Sequence, residues 1–111
     1  MKPEIKRIED FSSQTVGGHE GFVAQRLLKL SSEDVTVRLI NVVPGGKGPV
    51  PAHQHADTHF FWVLEGKLEL EISGTIHPIP SGCCIEVPPN IVHQLRCGDE
   101  SPMRVLAIKW K

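Results

Sequence analysis

The chain has 111 residues, a formal net charge of −1, 40% hydrophobic and 23% charged residues. That is enough for one core and too little for two, and the balanced charge excludes a nucleic-acid-binding surface or an acidic disordered tract. Ten glycines and nine prolines spread through the sequence favour many short strands joined by turns over helices.

The N-terminal MKPEIKRIEDF is charged and has no long apolar segment behind it, unlike a signal or transit peptide. No run approaches the roughly 18 apolar residues that cross a bilayer. Three cysteines, two of them adjacent at Cys83 and Cys84, make a poor disulfide framework and suit a reducing compartment, so a cytoplasmic protein is expected.

A short first strand is expected around Ile5 to Ile8, followed by irregular backbone through Gly17-Gly18-His19-Glu20-Gly21. Phe22 to Leu30 and Val35 to Val43 are rich in Val, Leu and Ile, and Ser31-Ser32-Glu33-Asp34 between them reads as the turn of a hairpin. Arg38 is the one charge in the second of these runs; it either points outward or serves the interior. Pro44-Gly45-Gly46 is expected to break that strand.

The next stretch places His53, His55 and His59 within seven residues. On a strand, side chains two apart share a face at roughly 6–7 Å between Cα atoms, so His53 and His55 can converge on one ion. Phe60 to Leu64 reads as a neighbouring strand that brings His59 in from the side, with Phe61 and Val63 sharing its inward parity and Phe60 and Trp62 facing away. Asp57 reads as a turn residue.

After a turn at Glu65-Gly66 comes the clearest alternation in the chain: Lys67, Glu69 and Glu71 on a wet face, Leu68, Leu70 and Ile72 on a dry one. Further strands are expected at Ile76 to Ile79, Cys83 to Val87, Ile91 to Leu95 with His93, and Met103 to Trp110. No helix is expected. His19 and His77 read as solvated, and the cysteines as buried free thiols.

The order P-x-H-x-H-x3-H-x6-G, then fifteen residues, then G-x5-P-x-N-x2-H, resembles the two consecutive motifs of the cupins. His53, His55 and Gly66 fall in step with the first motif, and Gly82, Pro88 and His93 with the second. The likeness spans residues 44–95. It departs in four places. The leading glycine is one residue out of step, Asn90 stands for the second motif's inner glycine, and Cys97 stands for its closing asparagine. A fourth departure bears on chemistry, since His59 occupies the usual glutamate position, as in the cupins that bind metal through four histidines.

The resemblance implies an all-β fold for residues 1–111, a small jelly-roll β-barrel of two antiparallel sheets, with one divalent metal held by His53, His55, His59 and His93. Imidazoles suit Mn, Fe, Ni, Cu and Zn; Mn or Fe, being six-coordinate, leave two positions open, whereas tetrahedral zinc is closed. Four neutral ligands leave the full +2 charge, which favours anionic oxygen partners. The expected activity is that of an oxygenase on a small organic molecule, with a non-catalytic ligand-binding or sensing module, or a metal-dependent isomerase or lyase, as alternatives. Arg38 is the candidate substrate contact. A homodimer is also implied, built on an apolar sheet surface and an N-terminal strand, with no nucleic-acid or membrane partner.

Overall fold

The computed structural model describes residues 3–28 and 34–111. Nine strands account for nearly all of the regular structure: β1 Ser13–Thr15, β2 Glu20–Arg26, β3 Val35–His53, β4 Thr58–Glu65, β5 Lys67–Ile72, β6 Thr75–Pro80, β7 Cys84–Val87, β8 His93–Cys97 and β9 Met103–Trp110. The strand expected at Ile5 to Ile8 is absent; a single 3-10 turn, Ile8–Asp10, stands there instead, and the first strand begins at Ser13. Ile5 is fully exposed. Leu30 and the turn residues Ser31 to Glu33 lie outside the described residues.

The strands pair in the order β6-β5-β8-β3-β9-β4-β7, with β2 also on β3 and β1 on β2, every pairing antiparallel. The result is a jelly-roll of two facing sheets joined through β3. Residues 35–42 of β3 pair with β9, and 38–42 of these also with β2, whereas Gly48 and His53 pair with β8 in the other sheet and Lys47 pairs with both β2 and β8. The strand does not stop at Pro44-Gly45-Gly46 as expected. It changes partners there, because the small residues allow a corner and Gly45 adopts φ 80°, open to glycine at no steric cost.

Side-chain alternation builds the core between the sheets. One sheet supplies Phe22, Ile40, Val42, Phe61, Val63, Val87 and Val105; the other supplies Leu68, Leu70, Ile79 and Leu95. At ~25 cal/mol per Å² of apolar surface, each such side chain stabilises the fold by roughly 1.5–3 kcal/mol, which outweighs the weak propensity differences within any one strand. Lys67, Glu69 and Glu71 face outward as read, and Glu71 pairs with Arg96 at 3.3 Å.

The outer face of the first sheet is unusually apolar. Val37, Leu39, Leu106, Ile108, Phe60 and Trp62 are cross-strand neighbours on it. Gln25 and the backbone of Ile8 and Phe11 cover one edge through hydrogen bonds of 2.8 and 3.1 Å. Trp62, 44% exposed, lies uncovered at the other.

Candidate metal centre

The two-sheet arrangement sorts inward side chains into rows. Deep rows are hydrocarbon: Ile40, Val105 and Val63 stand side by side, as do Val42 and Met103. Toward the mouth the row changes character. His59 lies opposite Lys109, and Lys109 opposite Thr36. One layer deeper, Arg38 lies opposite Ala107, and Ala107 opposite Phe61.

Three imidazoles meet at this mouth. His59 comes from β4 in the first sheet, His93 from β8 in the second, and His55 from the link between β3 and β4. Their ring centroids are 5.0 to 5.6 Å apart, and their nitrogens lie within 4.8 Å of one another. An ion about 2.1 Å from each nitrogen needs them roughly 3 to 3.5 Å apart, so small ring rotations close the set.

Each ring is held. The His93 Nδ1–H donates to the Ile91 carbonyl at 2.9 Å, a bond only the protonated nitrogen can make, which leaves Nε2 as the ligating nitrogen of the neutral ring. His59 stacks on Phe61 at 5.6 Å between centroids, and the Asn90 amide donates to the His55 carbonyl at 2.6 Å. That last bond ties the His55 link to the turn of the second motif. Asn90 takes φ 63°, the conformation expected of the residue standing in for glycine.

The electrostatics suit a metal. Burial first, then the neighbouring His93 and His55 and the Lys109 ammonium, lowers His59 to about 4, against a smaller opposing pull from Asp57. His55 is lowered too, chiefly by burial and by His93. Both imidazoles are therefore neutral at physiological pH, the form that binds metal. The Nε2 atom of His59 is buried and has no hydrogen-bond partner among the described residues. An orphaned buried nitrogen costs about 1–3 kcal/mol, and a metal ion is the partner its surroundings fit.

His53 stands apart from the three. It ends β3 directly opposite His93, which places its side chain on the same face, and its ring is 5.8 Å from that of His55. It is nevertheless exposed. His53 and His55 were expected on one strand; in fact β3 ends at His53 and His55 lies beyond it, because the ladder with β8 ends at the His53–His93 pair.

Beside the imidazoles is a cavity of about 220 Å³, whose wall includes His19, Arg38, Phe61 and Lys109. Arg38 therefore serves the interior rather than pointing outward. His19 is not the solvated side chain expected. Its ring packs on Phe22 at 4.8 Å, its Nδ1–H donates to the Gly17 carbonyl at 2.8 Å, and burial lowers its pKa. Gly48 permits this, since a Cβ there would collide with the His19 ring. Nothing local in the sequence reveals the contact, because it depends on the β1–β2 loop folding over β3, where the Val50 amide donates to the Gly18 carbonyl at 2.6 Å. Lys109 was legible, sharing parity with Met103, Val105 and Ala107, and was passed over.

The remaining expectations divide. His77 is exposed on β6 as read. Cys97 is buried, but Cys83 and Cys84 are exposed, a correction to the expected buried thiols; both lie at the sheet edge formed by β7, which has a partner on one side only. Asp57 occupies the bend before β4, as a turn residue should, while its charge acts on His55 and His59.

Solved structures resemble this chain over nearly its full length. The polyketide cyclase RemF from Streptomyces resistomycificus aligns with a TM-score of 0.85 at 22% identity, covering 99% of this chain and 80% of that one. A predicted oxalate decarboxylase from Thermotoga maritima gives 0.83 at 16% identity over 96% and 98% of the two chains. An RmlC-like cupin from Shewanella frigidimarina gives 0.80 at 20% identity over 98% and 91%. At such identities the likeness is one of fold. No curated protein matches the sequence significantly. The cupin domain model matches residues 38–109, which takes in both sheets and all the clustered histidines, and the chain belongs to the cupin family.

Proposed function

We propose that this cupin is a metal-dependent enzyme of oxygenase type, acting on a small organic molecule held in the cavity beside the histidines. The observation that carries the reading is the buried, unpartnered His59 Nε2 facing His55 and His93 at the cavity wall. His55, His59 and His93 would hold one divalent transition ion, with Mn or Fe favoured over Ni, Cu and Zn. His53 is the proposed fourth ligand, since its position opposite His93 leaves only its ring to turn inward. Such an ion supplies Lewis acidity undiminished by a carboxylate ligand and, if Mn or Fe, redox capacity. The protein's share is to fix the tautomer of His93, to keep His55 and His59 neutral, and to limit water through the hydrocarbon of Phe61 and Leu95.

Metal analysis of protein purified without added metal, followed by oxygen uptake with candidate substrates, tests this. A redox-active ion and substrate-dependent oxygen consumption are expected. Four-coordinate zinc with no open position defeats the oxygenase reading; turnover without oxygen consumption makes the protein an isomerase or lyase, and ligand binding without turnover a binding module.

A homodimer in the cytoplasm belongs to the same proposal. Its support is the apolar outer face around Phe60, Trp62 and Ile108, of the kind that subunit interfaces cover.

A further inference from the structure

The cavity wall carries cations without their counter-ions. Arg38 shares inward parity with Ile40 and Val42, and Lys109 with Val105 and Ala107, so both side chains enter the barrel and both line the cavity. The ion pairs among the described residues are Lys6–Glu4, Arg96–Glu71 and Arg104–Glu65; neither Arg38 nor Lys109 takes part in one. No aspartate or glutamate lines the cavity. Asp57, whose charge acts on the histidines, is not among the lining residues.

A third cation sharpens the imbalance. Arg26 on β2 stands directly across from Arg38, and like charges in that position are destabilising. Burial and Arg26 together lower the Arg38 pKa, which registers the same unfavourable surroundings. A guanidinium out of bulk water beside a second one is costly unless something negative joins it. Nothing in the described chain does.

We infer that the cavity is an anion site, which holds the carboxylate of a small organic acid against Arg38 and Lys109. The inference rests on the cavity's being the substrate site of the proposed enzyme, and it names the substrate class. A carboxylate matches the planar fork of Arg38 in two parallel hydrogen bonds, while Lys109 adds a point charge. Lys109 lies cross-strand from His59, so an acid anchored there presents its neighbouring carbon atoms to the imidazole cluster. At about 220 Å³ the cavity is below the roughly 300–1,000 Å³ of drug-sized sites, which limits the acid to a few carbons or one ring.

The test uses metal-stripped protein, so that anion binding by the metal does not contribute, with pyruvate and benzoate and their neutral amides as probes in an NMR titration. Each acid is expected to bind at least about tenfold more tightly than its amide, equivalent to about 1.4 kcal/mol. Arg38→Met removes that preference, Arg38→Lys retains part of it, and Lys109→Met reduces it. Chloride competes with the acids and not with the amides, a readout that needs no variant. Equal binding of acid and amide overturns the inference, as does a preference untouched by Arg38→Met and Lys109→Met. Carboxylate binding confined to metal-loaded protein also overturns it, yet leaves the metal-enzyme reading standing. Conversely, a protein that takes up no metal but keeps the acid preference defeats that reading and upholds this one.

Discussion

His59 carries the chemistry that sets this site apart, and its neutrality has a thermodynamic consequence. Its imidazole ionises near 6.5 in the unfolded chain and near 4 in the folded metal-free protein. The folded value is the lower, so between the two the unfolded chain binds more protons. Stability is complete above about pH 6.5 and falls as pH drops toward 4. Metal-free protein should lose about 2 kcal/mol between pH 7 and pH 5, read from urea denaturation midpoints, and His59→Gln should flatten the curve. Ligand replacement separates three ligands from four. Alanine at His55, His59 or His93 is expected to abolish stoichiometric metal uptake, measured by elemental analysis. His53→Ala should weaken affinity by about tenfold to a hundredfold while leaving uptake intact at high metal concentration. A further replacement, His59→Glu, should retain the metal and change its reactivity, because the carboxylate reduces the net charge. His53, His55 and His59 stood out by their spacing in one short stretch, whereas His93 was implied by the resemblance to the second cupin motif. His19 could be read in neither way, since its place depends on a loop packing over Gly48, a contact between residues far apart in the chain.

At the level of the elements, β3 and the turn at Gly66 matter most. Gly66 takes φ 76°, and a Cβ there would strike the Pro102 carbonyl oxygen and the Met103 backbone. Gly66→Ala therefore meets both backbone strain and a steric clash, and should destabilise by about 1–3 kcal/mol in chemical denaturation, with residual shifts at β4 and β9. The strand Lys67–Ile72 was legible because alternation there is strict, as in Leu68, Leu70 and Ile72, whereas the strand expected at Ile91 to Leu95 lies two residues later, at His93–Cys97, where buried residues follow one another without alternation. The N-terminal region was not legible. Ile5 and Ile8 are apolar but three residues apart, a spacing that gives a strand no single dry face; the segment turns once and docks through Gln25. The partner change of β3 at Pro44-Gly45-Gly46 was equally hidden, since the same residues that permit a corner also signal a stop.

For the whole molecule, the outer face of the first sheet predicts assembly. If the proposed homodimer forms through this face, Trp62→Glu should yield monomer in light scattering, with metal content unchanged, because Trp62 points away from His59 and Phe61. The many-stranded, helix-poor character was legible in the turn residues and strand patterns, and the antiparallel two-sheet barrel followed from the cupin resemblance; how the two sheets hold together at the mouth did not. The core that joins them is deep, and at the mouth the row of Thr36, Lys109 and His59 offers the facing sheet no hydrocarbon. His59 and His93 belong to opposite sheets, and β3 is the covalent hinge between them. An ion held by these two rings, as proposed, would be a clasp across the open end of a clam. Stripping it should leave the deep strands as protected as before, while amide exchange quickens in β8 and in the first residues of β4, as the lips of the barrel part.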